Sequence, residues 1–403
     1  LDSAVELQSS AFENCWFLRD VYAPNVEIMG DMGFAYCDNL RKISLPNLLR
    51  MDGKCNFEGC STLTKIDLPI LQNIPEQTFM YCYMLSDINM PKVEQIGYQA
   101  FYDTYSLGNI QFDSLKVLGD EVFVNSTASE LYAPNLETMG NKVFASYSTW
   151  NDTYAQNTNL KIIYAPILKT LSDETLAYTS GLTELDLPSL KSIGENAFYE
   201  SGVNYLYAPE LETAESLPVA ENAVVVVSDK LTNCTYVPTD TSLTVQGEKG
   251  SYGEEYANSI GLEFIDVNAM GGSIRVTDAG LRFGYSFYDT QKKNVEEYGF
   301  VYAAGEQDRN ELTVEQIDNE SVLQLVAYNR LTHEDETTTF NLVFTDIPQA
   351  SYDMEVTARA YVKIDGKYFY SDVTTRSFNQ VANAVLADDE IDQNTKNALQ
   401  ALY

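Results

Sequence analysis

The stretch LYAPNLETMGNKVF, residues 131–144, has close relatives elsewhere in the same chain. Similar phrases begin at residues 21, 163 and 206, and each contains the tripeptide Tyr-Ala-Pro. Counted from the proline, most intervals are 21 to 23 residues, and one, from Pro134 to Pro166, is 32 residues. The proline slot is filled in turn by Pro24, Pro46, Pro69, Pro91, Asp113, Pro134, Pro166, Pro188 and Pro209. A fixed period in the twenties predicts a solenoid of stacked repeats.

Apolar residues keep fixed positions relative to this slot. The residues three and one before it are apolar, and the residue between them is polar or tyrosine, which predicts a short half-buried strand that the proline ends. After the slot come an apolar column and then a phenylalanine column, whose surroundings are typical of one short helical turn. The phenylalanine column is Phe34, Phe57, Phe79, Phe101, Phe123, Phe144, Leu176 and Phe198. Glycine often precedes it, which predicts a turn of the chain, at Gly30, Gly97, Gly119, Gly140 and Gly194.

Four of the six cysteines follow the same period. Cys15, Cys37, Cys60 and Cys82 each lie three residues after the repeated phenylalanine. The favoured interpretation is a column of small, buried, unpaired thiols, since cysteine is among the most buried residue types. A ladder of bound metal ions is disfavoured because no histidine and no Cys-x-x-Cys pair lies nearby. Disulfides between adjacent turns stay open as an alternative.

The charge of the chain excludes some classes of partner. Among 403 residues, 59 are acidic and 25 are basic, giving a net charge of −34. We expect no binding to nucleic acid or to anionic membranes, because phosphate groups require lysine and arginine. No apolar run is long enough to cross a membrane. Residue 1 already lies within the pattern, so we expect any export signal or anchor to lie outside this chain.

The repeat resembles the BspA-like class of bacterial leucine-rich repeats. The stretch LTELDLPSLKSIGENAFYES, 182–201, carries this resemblance, which extends from residue 1 to about 227. The segment 243–267 resembles the strand–helix–strand that closes such arrays. The resemblance implies a right-handed β-solenoid of the leucine-rich-repeat type with about nine 22-residue repeats. It also implies a secreted or cell-surface protein that binds host or neighbour-cell proteins without catalysis.

A second domain is predicted where the period stops. Strand-like runs rich in Val, Thr, Tyr and Phe predict about seven antiparallel strands in a β-sandwich of the immunoglobulin or fibronectin kind. Asp365-Gly366 predicts a hairpin turn. This part resembles a small accessory β-domain of surface proteins from anaerobic bacteria. The predicted organisation is a mainly β chain with a solenoid over 1–267, including a cap over 228–267, then the sandwich over 268–379 and a helical, acidic tail over 380–403.

The sequence offers little that is typical of catalysis. The one histidine, His333, lies in a polar stretch between predicted strands. No catalytic residue, metal ligand or cofactor is predicted, and the chain is expected not to be an enzyme. A hydrolase site within the sandwich is the alternative, and a loosely held calcium ion on so acidic a surface stays open.

Tyrosines are the candidate binding residues. Strand alternation places the residue two before the proline slot on the outer face. An insertion over 146–157 adds aromatic residues, and insertions in solenoids commonly form loops on the binding face. The candidate ligand-binding residues are Tyr132, Tyr164, Tyr205, Tyr207, Tyr147, Trp150 and Tyr154. We expect a monomeric adhesion or protein-interaction module that binds a host or neighbour-cell protein; the alternative is a carbohydrate-binding protein that holds a glycan on these rings.

Overall fold

A computed structural model describes residues 1, 3–148, 153–218, 220–238, 242–317 and 321–403. The chain is mainly β and divides into two compact units. The first unit comprises Leu1–Val245 and Ser251–Leu262. The second comprises Gln246–Gly250 and Glu263–Tyr403.

The first unit is a β-solenoid of about eleven turns. Its elements are, in chain order, β1 (Glu6–Leu7), β2 (Asp20–Tyr22), β3 (Ile28–Met29), β4 (Lys42–Ser44), β5 (Arg50–Met51), β6 (Lys65–Asp67), β7 (Asn73–Ile74), β8 (Asp87–Asn89), β9 (Gln95–Ile96), β10 (Ile110–Gln111), β11 (Val117–Leu118), β12 (Glu130–Tyr132), β13 (Thr138–Met139), β14 (Ser146–Ser148), β15 (Thr153–Ala155), β16 (Ile162–Tyr164), β17 (Thr170–Leu171), β18 (Glu184–Asp186), β19 (Ser192–Ile193), β20 (Tyr205–Tyr207), β21 (Thr213–Ala214), β22 (Val224–Val226), β23 (Asn233–Cys234), β24 (Thr244–Gln246) and α1 (Tyr252–Ile260).

Consecutive turns pair in parallel, one repeat apart. The strands before the proline slot form the ladders β2-β4-β6-β8, β10-β12-β16 and β18-β20-β22-β24. The two-residue strands after it form β1-β3-β5 and β7-β9-β11-β13-β17-β19-β21-β23. Val21 pairs with Ile43, Ile43 with Ile66, and Ile66 with Ile88. The predicted stacking of equivalent residues is therefore confirmed.

The solenoid has more turns than the proline slot predicts. Strand β1 precedes the first proline, and β22 and β23 follow Pro209. Val225 of β22 pairs with Leu206, and Cys234 of β23 pairs with Ala214, so the ladders continue beyond the last proline. The solenoid therefore has about eleven turns where about nine repeats were predicted, because these additional turns keep the apolar columns without the proline. The predicted strand–helix–strand over 243–267 is present, and α1 ends at Gly261 with φ 78°.

The phenylalanine column forms a continuous stack of rings in the core. Neighbouring rings from Phe12 to Phe144 lie 5.0 to 5.6 Å apart between centroids. The segment is not the predicted helical turn. Gln77 and Tyr81 flank Phe79 with φ of 54° and 63°, and every second amide donates to the next turn, such as Phe79 N to Ala100 O at 2.7 Å. Those amides are therefore not available for helical i to i−4 bonds.

The repeated glycines are required by the close approach of successive solenoid turns. They do not adopt the special backbone conformation of a chain reversal that the sequence suggested. None of the five glycines before the phenylalanine column has a positive φ. A Cβ atom on Gly140 would lie 2.6 Å from the carbonyl carbon of Gly119 and 2.7 Å from the amide nitrogen of Asp120. The absence of a side chain lets the backbones of successive turns approach each other.

The cysteine column consists of free thiols, and its first member, Cys15, is half-buried. The Sγ atoms of Cys37, Cys60 and Cys82 each donate to the carbonyl of the phenylalanine one turn earlier, at 3.1 Å. Burial raises the pKa of the Cys37 thiol to about 11 and also raises the pKa values of Cys60 and Cys82. The folded solenoid thus holds these thiols in the neutral form.

These pKa values predict a loss of stability in alkali. In the unfolded chain the pKa of a cysteine thiol is about 8.5, whereas burial in the folded chain raises the pKa of Cys37 to about 11. Between these values the unfolded state binds fewer protons, so the free energy of unfolding falls as pH rises. Urea unfolding followed at increasing pH measures this slope. A Cys37→Ser/Cys60→Ser/Cys82→Ser variant should show a shallower slope, and an unchanged slope would contradict the prediction.

The second unit is a β-sandwich of two antiparallel sheets. Its elements are β25 (Glu263–Arg275), β26 (Gly280–Asp289), β27 (Val295–Ala304), β28 (Leu323–Val326), β29 (Arg330–Thr332), β30 (Thr338–Phe344), β31 (Val356–Ile364), β32 (Lys367–Tyr370), β33 (Thr374–Arg376), α2 (Phe378–Ala387) and α3 (Gln393–Gln400). Two short 3₁₀ helices lie at Val314–Gln316 and Gln349–Ser351. One sheet has the order β25-β26-β30-β29, and the other has the order β28-β27-β31-β32, with β33 also paired to β31.

Aromatic side chains from both sheets form the core of this unit. Phe340 of β30 lies 5.2 Å from Tyr298 and 5.5 Å from Phe300, both of β27. The described residues of this unit include nine strands where about seven were predicted, and two of the nine, β29 and β33, are only three residues long. The hairpin predicted at Asp365-Gly366 is present, with φ of 49° and 78°.

The C-terminal residues form helices that belong to this unit's core. Ser377 begins α2 with a reciprocal capping box to Gln380. Phe378 stacks on Tyr352 at 4.1 Å, and Leu399 of α3 is buried in the same cluster. The helical character predicted for this end of the chain is therefore present as two short helices.

Candidate functional site

Two of the predicted tyrosines form an exposed stacked pair. Tyr132 ends β12 and Tyr164 ends β16, and the two residues are paired in register. Alternation turns Leu131 and Ile163 into the core, so the tyrosines point outward. Tyr132 and Tyr164 are 43% and 46% exposed. Their rings lie 4.9 Å apart and only 4° from parallel.

Tyr205 and Tyr207 lie on the same outer surface further along the solenoid. Both belong to β20 and flank the buried Leu206. They are half-buried, and they are paired in register with Glu184 and Asp186 of β18. The strand face is defined here as Tyr132, Ile162, Tyr164, Tyr205 and Tyr207.

The insertion packs elsewhere. Its strands β14 and β15 pair antiparallel, and Tyr147 contacts Tyr154 edge-on at 5.2 Å. Both rings are half-buried against a cluster that contains Val124 and Ala145, and Tyr154 stacks on Tyr178 at 5.3 Å. Trp150 lies outside the described residues. The described ring contacts therefore join Tyr147 and Tyr154 to each other and to the phenylalanine turns, not to the strand face.

A second group of tyrosines, missed by the sequence analysis, lies beside the phenylalanine turns. Tyr83 and Tyr105 are 40% and 48% exposed, with rings 5.4 Å apart and 6° from parallel. Tyr81 lies 6.2 Å from Tyr83. The signal was present in the sequence, since Tyr83 follows Cys82 and Tyr105 follows the equivalent Thr104. The turn patch is defined here as Tyr81, Tyr83, Tyr105 and Asp103.

Asp103 is the buried carboxylate of this patch, with only 7% of its surface exposed. Burial raises its pKa, and hydrogen bonds from Asn125 and Tyr105 oppose that rise. The Asn125 Nδ2 atom donates to Asp103 Oδ1 at 2.6 Å. Burial and then the Asp103 carboxylate raise the pKa of Tyr105 to about 12 and also raise the pKa of Tyr83. The negative charge of the Asp103 carboxylate therefore interacts with both exposed tyrosines, Tyr83 and Tyr105.

The one histidine of the chain lies in the second unit. His333 is exposed, and its Nε2 atom lies 3.0 Å from Thr339 Oγ1. Among the residues that the structure describes, no three His, Cys, Asp or Glu side chains are placed to hold a metal ion. No helix within the described ranges is long and apolar enough to cross a membrane.

Parallel ladders repeated about every 22 residues, with a shared core and an outer row of tyrosines, define a solenoid repeat protein. The family model described as "BspA type Leucine rich repeat region" matches six copies over residues 5–130 and 150–216. These residues belong to the BspA-type leucine-rich repeat family.

Among solved structures, the chain is similar to a leucine-rich repeat protein from Bacteroides ovatus ATCC 8483. The two are 21% identical, the match covers 60% of this chain and 78% of that chain, and the TM-score is 0.22. No curated protein matches the sequence.

Proposed function

We propose that this chain is a non-catalytic adhesion module that binds a protein partner on the strand face. The stacked pair of Tyr132 and Tyr164 carries the proposal. Two large apolar rings, each more than 40% exposed, stand together on a rigid ladder. Ile162, also exposed, lies on the same face. Tyrosines of this kind are enriched at protein interfaces because they combine apolar area with a hydroxyl group.

The arrangement of the rings favours a protein over a glycan. A sugar ring packs on the open face of an aromatic ring, but Tyr132 and Tyr164 cover one inner face of each other. On its other side Tyr132 is paired in register with a polar residue, Gln111 of β10, and the slot that follows Tyr164 along the chain holds Asp186. Ring edges and hydroxyl groups are left outward, and these suit the mixed apolar and hydrogen-bonding surface of a protein.

The proposed location is extracellular, either secreted or on a cell surface. BspA-type repeats support this location, since proteins of that family are typically exported. A host or neighbour-cell protein is the proposed class of partner.

The test uses arrays of purified extracellular proteins and of glycans, probed with the whole chain. A Tyr132→Ser/Tyr164→Ser variant should lose protein binding by at least about tenfold, because buried interface tyrosines contribute about 2 kcal/mol or more. Serine is native to this slot at Ser44, so the fold should persist. A Tyr22→Ser variant is the matched control, since Tyr22 fills the same slot and is 63% exposed but is paired with Ser44 and not with a second tyrosine.

Each outcome has a definite meaning. Protein binding that is lost only in the Tyr132/Tyr164 variant supports the proposal. Binding to glycans alone would establish the carbohydrate-binding alternative. Undiminished protein binding by the Tyr132/Tyr164 variant would place the contact surface elsewhere.

A further inference from the structure

The turn patch combines a buried anion with exposed aromatic rings. Asp103 accepts a hydrogen bond from Asn125, yet no lysine or arginine among the described residues forms an ion pair with it. A buried carboxylate without a cation is costly, and two neutral donors offset only part of that cost. The turn patch therefore lacks a positive charge that would balance the Asp103 carboxylate.

The rings leave room for that charge. The slot of Tyr83 and Tyr105 holds Ser61 in the preceding turn and Thr127 in the following turn. Thr127 turns its Oγ1 atom to the backbone carbonyls of Tyr105 and Leu107, at 2.7 and 2.8 Å. Among the described residues, no aromatic ring other than that of Tyr83 is stacked on the Tyr105 ring. Tyr105 is also the tyrosine whose hydroxyl group interacts with Asp103.

From this geometry we propose that the turn patch binds an arginine side chain of a basic protein partner. The planar guanidinium group stacks on the outer face of Tyr105 while its N–H groups reach the Asp103 carboxylate. Arginine suits this site better than lysine, because a planar delocalised cation can stack on a ring and donate in the plane of the stack. The site is distinct from the strand face and does not depend on it.

The charge of the chain supports an arginine-bearing occupant. A net charge of −34 repels acidic partners and attracts basic ones over a range set by ionic strength. Such attraction alone does not select one binding site. The turn patch would add specific recognition, since its tyrosine rings and its buried carboxylate are held in place by consecutive turns of the solenoid.

The test measures binding of a peptide of alternating arginine and serine to the whole chain by calorimetry. A second peptide carries citrulline in place of arginine, which preserves shape and removes the charge. We expect the citrulline peptide and the Asp103→Asn variant each to lower affinity by about tenfold, as loss of a charge-assisted hydrogen bond and a cation–π contact requires.

A matched variant separates the site from general attraction. Asp67 also accepts a hydrogen bond at 2.6 Å from an asparagine one turn later, Asn89, but it lies on a strand without tyrosine. Asp67→Asn changes the net charge equally and should lower affinity less than about twofold, because Asp67 lies outside the turn patch and contributes only to the general charge attraction. Equal losses of affinity in the two aspartate variants would overturn the proposal and indicate general charge attraction. The absence of any peptide binding would also overturn it.

A second pair of variants tests the rings and guards against misfolding. Tyr83→Ser/Tyr105→Thr uses the residue types that the neighbouring turns already hold in this slot, so it should fold even where Asp103→Asn does not. This variant should bind the arginine peptide about tenfold more weakly. Tyr132→Ser/Tyr164→Ser should bind it normally. Full binding by the Tyr83/Tyr105 variant would end the proposal without affecting that for the strand face.

Discussion

Replacing Phe79 by alanine is expected to lower the free energy of unfolding of the solenoid by about 3–5 kcal/mol. The Phe79 ring is fully buried between Phe57 and Phe101, at 5.3 and 5.1 Å. Its removal leaves a cavity in the middle of the stack. Adjacent turns are fixed by parallel ladders on two sides, so they cannot collapse to fill it.

Urea unfolding followed by tryptophan fluorescence measures this loss. Both tryptophans of the chain, Trp16 and Trp150, belong to the solenoid sequence, so the signal reports on that unit. Phe17→Ala is the control, because Phe17 is 92% exposed and removes the same atoms from the surface. A loss below about 1 kcal/mol for Phe79→Ala, the size seen for surface changes, would show that the stack is not the core of the solenoid.

Gly140→Ala is expected to destabilise the solenoid by about 1–3 kcal/mol through overpacking. The added Cβ would lie within 2.7 Å of two backbone atoms of the preceding turn, from Gly119 and Asp120. Backbone atoms held in a ladder cannot move aside as a flexible side chain could. The two turns must separate, which weakens the ladder between β11 and β13.

Gly108→Ala is the opposite case and serves as the control. Nothing lies within 4 Å of a Cβ at Gly108, and its φ is not positive. Alanine there should be neutral or stabilising by up to about 1 kcal/mol, because it reduces the conformational entropy of the unfolded chain. The same urea titration should therefore give shifts of opposite sign, and equal shifts would refute the crowding between turns.

The columns of the solenoid could be predicted because every turn buries side chains at the same positions of its repeat. A residue that is buried in one turn, such as Ile43, has its equivalent at the same place in the next turn, Ile66. The structure differs from the prediction at positions where the local sequence does not mark the repeat. Val225 continues the ladder without a proline, and the left-handed residues Gln77 and Tyr81 depend on bonds to a neighbouring turn. Such bonds join residues that are far apart in sequence.

The candidate site was predictable to the extent that it lies on strands. Alternation alone places Tyr132 and Tyr164 outward, and the structure adds that their rings stack. The insertion could not be placed in this way, since the side on which Tyr154 packs depends on Tyr178 one turn later. The turn patch was missed because strand alternation does not describe where a left-handed residue such as Asp103 directs its side chain, although such positions recur in neighbouring turns, as at Tyr81 and Asn125.

Bonding between consecutive turns also makes the solenoid modular in length. Each turn forms its inter-turn backbone hydrogen bonds with the turn before it and the turn after it, as Phe79 N does with Ala100 O. A duplicated unit inserted between two turns would therefore meet a complete set of partners on both sides. The interval from Pro134 to Pro166 already accommodates extra residues while its strands keep register. The outer surface of the solenoid can thus be lengthened or shortened by the gain or loss of whole units, because each unit interacts chiefly with its two neighbours.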